Sequence, residues 1–300
     1  MDRTLVYLIA ETKQIGKFLK AKGYSDQNLV DLRKDTDAVL CDGRPARLVD
    51  TVCPGSVLTV HIREKKSGNV SPTKIPLQII YEDEDLVVVH KPAQLAIHPS
   101  RRNASYSLGN AMSYYFRDQP FVFRCTNRLD QDTSGLTIVA KNPLSAGILS
   151  EMSARKEIRR TYLAITSGVV TPSEGTIDAP IGRCEKASSD MQRFVDYEHG
   201  QKAVTHYRRL VSANGHSLVD LTLDTGRTHQ MRVHMKHIGY PLIGDYLYNP
   251  DMTVIGRQAL HAYSLCFSHP ITGEQMEFTD PLPDDMQKAL IQLGMENAGY

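Results

Sequence analysis

Among the residues whose type and placement could do chemistry, Asp130 stands out. It lies in the run Asn127-Arg128-Leu129-Asp130-Gln131-Asp132-Thr133-Ser134-Gly135, directly ahead of the apolar stretch 135–140. By default an Asp in such a loop is a turn residue that bonds its own backbone. Its neighbours argue for more. Arg128, two residues upstream, offers a charge that keeps a carboxylate ionised by lowering its pKa. Thr133 and Ser134 supply short donors, and Gly135 permits a backbone shape other residues resist. A loop anchored on a rigid strand end is also where catalytic groups tend to sit. Asp130 with Asp132 shows no sign of the partition into acid and nucleophile that two-carboxylate glycoside chemistry uses. One ionised carboxylate beside a cation is the simpler picture.

A second candidate is a helix beginning near Thr228, a plausible N-cap. At 100° per residue Met231, Met235 and Ile238 share one face, while His229, Arg232 and Lys236 share another. The apolar face would pack, and the other would aim a cationic stripe at a carboxylate or at phosphates; a surface helix with solvated charges is the open alternative. His229, His234 and His237 lack the spacing of a metal-binding helix, so no metal is expected. Tyr162 alone reads equally well as a half-buried strand tyrosine.

The elements that must position these residues fall into two groups. A polar break, Ser67-Gly68-Asn69-Val70-Ser71-Pro72-Thr73, divides a short N-terminal unit from the rest. Ahead of it the sequence reads as a strand at 4–10, helical spacing at 15–19, and a helix N-capped by Ser25. A tight turn at Asp42-Gly43 and a strand at 57–62 follow. Beyond it strands dominate: 77–80 and 86–90, then 135–140, with a helix over 143–157. Hairpin strands 203–211 and 217–223 flank Asn214-Gly215, and another hairpin spans 260–279. This pattern predicts an α+β fold with a mixed, largely antiparallel sheet.

Of the 300 residues, 41% are hydrophobic and 23% charged, an ordinary globular composition. No apolar run approaches the ~20 residues of a membrane helix. The start lacks a signal-peptide pattern, so a cytoplasmic location without membrane association is the expectation. The five scattered cysteines form no CxxC pair and read as reduced. A net charge of +1 gives no global pull on nucleic acid. The local clusters at Arg101-Arg102, Arg155-Lys156, Arg159-Arg160 and Arg208-Arg209 read either as solvated faces or as phosphate contacts.

The loop sequence 128–135, followed by Ile138-Val139-Ala140-Lys141, resembles the signature of the RluA/RluD-type pseudouridine synthases. Other segments agree in order from about residue 77 to 285. Glu82-Asp83-Glu84-Asp85-Leu86-Val87-Val88-Val89-His90-Lys91-Pro92 resembles the family's first motif. Arg160-Thr161-Tyr162-Leu163-Ala164 with Gly168 resembles its tyrosine motif. Thr225-Gly226-Arg227-Thr228-His229-Gln230-Met231-Arg232-Val233-His234-Met235 is similar to its most distinctive segment, continued by Ile238-Gly239-Tyr240-Pro241-Leu242-Ile243-Gly244-Asp245. Two positions depart: Asn127 stands where the family usually has His, and Arg160 where it often has Lys.

The resemblance implies an enzyme that isomerises uridine to pseudouridine in structured RNA without metal or organic cofactor, in a central cleft. It implies Asp130 as the essential carboxylate, Arg232 as its arginine partner and Tyr162 against the uracil ring. It further implies Arg128 filling the gap left by a flipped base and Leu260 as an apolar wall of the pocket. Flipping a base costs roughly a few kcal/mol. Phosphate contacts must offset this, and Arg101, Arg102, Arg155, Lys156 and Arg227 are the candidates; Thr133 is a further substrate-binding candidate. The N-terminal unit resembles an S-four-type RNA-binding module. The expected organisation is therefore that module over 1–66, a linker over 67–76 and a catalytic domain over 77–300. Large-subunit ribosomal RNA is the expected partner and a monomer the expected state. The competing readings are a transfer-RNA pseudouridine synthase and a non-catalytic RNA-binding protein on the same fold.

Overall fold

The computed structural model describes residues 1–64, 70–100, 103–183 and 192–296. Arg101, Arg102, Cys184 and linker residues 67–69 lie outside the described residues. The fold is α+β.

The first part of the chain forms β1 (Arg3–Leu8), β2 (Lys13–Gln14), α1 (Ile15–Ala21), α2 (Asp26–Arg33), β3 (Val39–Cys41), β4 (Arg44–Pro45), β5 (Thr51–Val52) and β6 (Val57–Ile62). Ser25 caps α2 by accepting from the Asn28 amide, while Asn28 reaches back to the Ser25 amide. Asp42 and Gly43 both take positive φ, 49° and 77°, giving the two-residue turn between β3 and β4. The sheet order is β1-β6-β3-β4. Edge strand β1 pairs antiparallel with β6, residues 3–8 against 57–62, so the two strands read from the sequence join the hairpin at Asp42-Gly43 in one four-stranded sheet. Leu19, Leu29, Val39, Leu58 and Val60 fill its core, joined by Leu144 from a helix of the next part.

The second part contains β7 (Gln78–Glu82), β8 (Leu86–Lys91), α3 (Leu108–Tyr115), β9 (Ser134–Ala140), α4 (Pro143–Ala154), β10 (Arg159–Ser167), β11 (Glu174–Asp178) and β12 (Ile181–Arg183). There follow β13 (Arg193–Val195), β14 (Val204–Ala213), β15 (His216–Leu223), α5 (Gln230–His237), β16 (Leu260–Ser268), β17 (Gln275–Thr279) and α6 (Asp284–Gln292). Its main sheet runs β11-β14-β15-β10-β16-β9-β8-β7, with β17 paired to β16. The pairings among described residues are antiparallel except β9 with β16, a short parallel seam at His261↔Ser134 and Ala262↔Gly135.

Every residue of β9 is buried, because apolar clusters cover both of its faces. On one side Leu136 and Ile138 pack with Leu149 and Met152 of α4. On the other Val139 packs into a larger cluster that includes Met235 of α5. The predicted apolar face of α5 is the packed one, since Met231 and Ile238 also lie against that cluster. At the seam Gly135 has φ 113°, and a Cβ there would lie 2.4 Å from the Ala262 carbonyl oxygen. Only glycine fits this crossing.

The periodicity did not announce α3. Its N-cap Ser107 accepts from the Asn110 amide. Buried Asn110 donates through Nδ2 to the carbonyls of Ser71, 2.7 Å, and Ala104, 3.1 Å. Linker residue Ser71 is thus tied to the second part. Among the described residues no helix is long and apolar enough to cross a membrane.

Candidate active site

The loop carrying Asp130 leaves its turn through a Thr133 amide to Asp130 carbonyl bond of 3.1 Å and enters β9 at the parallel seam. Two buried cations grip this loop by its backbone. Lys91, at the end of β8, donates through Nζ to the carbonyls of Pro92, Leu95 and Gln131 at 2.8, 2.8 and 2.9 Å. Burial pulls its pKa down to about 7, although three carbonyl acceptors suit the three donors of an ammonium. Arg257 donates to the Asp132 carbonyl, 3.0 Å, and is itself paired with Asp285. Asp130 is therefore presented from a fixed backbone. Asp132 does not join it at the cavity described below.

The cation beside Asp130 is Arg232, not Arg128. Arg232 Nη1 donates to Asp130 Oδ2 at 3.0 Å, while Nε and Nη2 make a bidentate pair with Asp245, both at 2.7 Å. Arg232 is 2% exposed and Asp245 fully buried, whereas the Asp130 side chain keeps 25% exposure. Burial opposes the Arg232 charge, but Asp245 and then Asp130 outweigh it and raise the guanidinium pKa. Arg128 fails as countercharge because its side chain runs outward and donates to Thr228 Oγ1 at 3.2 Å.

The start of α5 also differs from expectation. His229, not Thr228, is the N-cap, in a left-handed conformation with φ 57° and with no side-chain cap. The Gln230 side chain takes over the turn: its Oε1 accepts from Thr225 Oγ1, 2.8 Å, and from the Arg227 amide, 3.0 Å. His229 instead bonds the Tyr248 hydroxyl, 3.0 Å, and burial lowers its pKa to about 4. His234 engages Thr205 through Nδ1 and the Ala179 carbonyl through Nε2.

Asp130 opens into a cavity of about 1120 Å³, also lined by Arg128, Thr133, Tyr162, Arg232 and Leu260. Tyr162 on β10 is 4% exposed. Burial, reinforced by the charge of Asp130, raises its phenol pKa, and Arg160 partly opposes this. Leu260 opens β16 and is 1% exposed. Arg227 lines the cavity with its Nε on the Lys202 carbonyl. Lys156 lines it too, paired with Asp224 at 3.2 Å. Arg155 is not at the cavity and pairs with Glu151 along its own helix. Arg101 and Arg102 lie outside the described residues. Reasoning on the sequence overlooked Asp245, Lys91 and Arg257; the signal that could have found Lys91 is a lone basic residue closing the apolar run 86–89.

A carboxylate held by one guanidinium in an open pocket rich in basic side chains can attack an electrophilic carbon or take a proton. The buried phenol beside it offers a ring face and a hydroxyl kept protonated. Comparison with known proteins points the same way. Residues 85–237 match the family model described as RNA pseudouridylate synthase. The chain is 37% identical over 294 residues to the uncharacterized RNA pseudouridine synthase YlyB of Bacillus subtilis, covering 94% of this chain and 95% of that protein. It is 40% identical over 276 residues to ribosomal large subunit pseudouridine synthase D of Pseudomonas aeruginosa, covering 86% and 85%. Among solved structures it is similar to human RNA pseudouridylate synthase domain containing 1, with a TM-score of 0.59 and 28% identity over 69% of this chain and 83% of that one.

Proposed function

Because the chain belongs to the RNA pseudouridylate synthase family, we propose that it converts specific uridines of large-subunit ribosomal RNA to pseudouridine, with Asp130 as the reacting carboxylate. The observation that carries the reading is the 3.0 Å contact between Arg232 and Asp130 in a cavity shared with Tyr162. The bond from ribose to uracil N1 breaks, the base turns, and the ribose carbon joins C5. The C5 proton leaves and N1 is protonated, so the reaction is an isomerisation with no net gain or loss of atoms. Asp130 either attacks the sugar or removes a ribose proton on the way to a glycal. Both roles need the anion, and Arg232 donates to its Oδ2 at 3.0 Å.

Tyr162 lies against the uracil ring and assists departure of the C5 proton. Leu260 closes the apolar side of the base pocket. The target base leaves its stack to reach Asp130, at a cost of roughly a few kcal/mol. Arg128, exposed at the cavity rim, fills the gap; Arg227 and Lys156 take phosphates. Arg227 is half committed to the Lys202 carbonyl, and Lys156 must exchange Asp224 for phosphate. The N-terminal unit serves as an RNA-binding module. The ribosomal assignment rests on relatives named for the large ribosomal subunit.

The test is to incubate the protein with ribosomal and transfer RNA transcripts and map pseudouridine by reverse-transcription stops at carbodiimide adducts. New stops in the large-subunit transcript, absent with Asp130→Ala at nearly unchanged RNA affinity, are expected. Stops confined to transfer RNA would replace the substrate assignment, and modification by the Asp130→Ala protein would remove the mechanism.

A further inference from the structure

Few buried side-chain polar atoms lack a hydrogen-bond partner among the described residues. They are Asn127 Nδ2, Thr133 Oγ1, Gln258 Oε1, and both Nε and Nη2 of Arg160. Three of these four residues, Asn127, Thr133 and Arg160, line the cavity that holds Asp130. Unsatisfied buried groups are uncommon in folded proteins, and their gathering at one cavity calls for a cause.

Arg160 is the costliest of them. It stands two residues before Tyr162 on β10, and both residues line the cavity. The titratable groups that act on it electrostatically are the Tyr162 phenol and the Cys125 thiol, both held neutral by burial. Among the described residues no carboxylate pairs with it. A desolvated cation without a counter-ion destabilises a fold. Asn127 is held by the other end of its amide: Oδ1 accepts from Thr137 Oγ1 at 2.9 Å and from Thr126 Oγ1 at 3.4 Å. Nδ2 is left with hydrogens and no acceptor. Cys125 links the two residues, touching the Asn127 carbonyl at 2.9 Å and lying within electrostatic reach of Arg160.

The unmet demand is lopsided. A guanidinium has no acceptor and an amide nitrogen only donates, so the missing ligand brings oxygen. We propose that Arg160 and Asn127 are specificity-determining residues that together receive one oxygen acceptor of the target nucleotide, either a uracil carbonyl or a flanking phosphodiester oxygen. These are also the two positions at which this sequence departs from the family's usual His and Lys. A Lys at 160 would bring a point charge; Arg brings a planar fork whose Nε and Nη2 edge binds two lone pairs at once. The inference rests on the isomerisation proposed above.

The experiment uses the full chain and the ribosomal RNA fragment in which it forms pseudouridine; formation by the parental protein is the control that the underlying reading must pass. Arg160→Met, Arg160→Lys and Asn127→Ala are assayed for kcat and KM. The RNAs are the unmodified fragment and fragments with 2-thiouridine, 4-thiouridine or a flanking methylphosphonate at the target. Loss of a charged hydrogen bond predicts a fall of roughly 10- to 100-fold in kcat/KM for Arg160→Met, with Arg160→Lys intermediate. On the one modified RNA that lacks the acceptor, variant and parent should agree to within about twofold. A thio-substituted base identifies a carbonyl, and the methylphosphonate identifies a phosphate. A structural role would not give a second signature: Arg160→Met should raise the urea midpoint of the free protein, because it removes an uncompensated buried charge. Parental kcat/KM in the variants, the same loss on every RNA, or a lowered midpoint for Arg160→Met would each overturn the proposal.

Discussion

At Asp130 one guanidinium serves two carboxylates. Asp245 is fully buried and takes two of the Arg232 donors at 2.7 Å; Asp130 takes the third at 3.0 Å and keeps a quarter of its surface. Asp245 thus fixes the guanidinium, and the guanidinium holds Asp130. Breaking a buried pair by removing one partner costs about 3–5 kcal/mol. Asp245→Asn is accordingly expected to lower unfolding free energy by that amount in urea titrations and to reduce pseudouridine formation as well. His229 sets a pH limit nearby. It faces Asp130, Arg232, Asp245 and Arg193 as well as the Tyr248 hydroxyl, and folding lowers its pKa from 6.5 to about 4. The unfolded chain then holds more protons across that interval, so this contribution is complete above pH 6.5 and disappears as pH falls towards 4. The slope is at most ~1.4 kcal/mol per pH unit. In His229→Asn, whose new residue tolerates the left-handed backbone, the stability curve between pH 6.5 and 4 should be shallower than the parent's. Asp130, Arg232 and Tyr162 were legible in the sequence through their motifs. The grip on the loop was not: Lys91 reaches Gln131 across 40 residues and Arg257 reaches Asp132 across 125. No local spacing encodes such contacts.

At the scale of elements, short-range signals carried far. The Asp42-Gly43 and Asn214-Gly215 turns both take positive φ, and the strands about Asn214-Gly215 lie where alternation and turn chemistry put them. The parallel seam between β9 and β16 was hidden, because it joins segments more than 120 residues apart. It is also what brings Leu260 beside the Asp130 loop. Gly135 makes the seam possible, with its positive φ and the Ala262 carbonyl where a Cβ would stand. Gly135→Ala should therefore lower the thermal midpoint steeply, by several degrees or more for a loss of about 2 kcal/mol or above. A conservative control, Ile138→Val on the same strand, should cost about 0.5–1.5 kcal/mol. The misplaced start of α5 has a local reason: the Gln230 side chain folds back to brace the preceding turn, accepting from Thr225 Oγ1 and the Arg227 amide, and the helix begins after His229 without a side-chain cap.

Across the whole molecule, the N-terminal unit is packed onto the second part of the chain. Buried Leu144, from α4, belongs to the core of the N-terminal unit, with Ile148 and Ile271 against it. Arg3 bonds Asp85, and Arg124 holds Glu64 through two contacts of 2.6 and 2.8 Å. Composition gave no hint of this docking, since a near-neutral chain hides paired charges as easily as solvated ones. Leu144→Ala is expected to cost about 2–5 kcal/mol. It should also separate an early unfolding step of the N-terminal unit from the main transition, read by circular dichroism in urea. A single undiminished transition would mean that the two parts do not share this core.

The central claim concerns what the Asp130–Arg232 pair does to a uridine, and release of the C5 hydrogen reports on it directly. Ribosomal RNA carrying tritium at uridine C5 should lose label to water with the parental protein. With Asp130→Asn, at matched RNA occupancy, release should fall to background. Tritium release by Asp130→Asn at the parental rate would contradict the account.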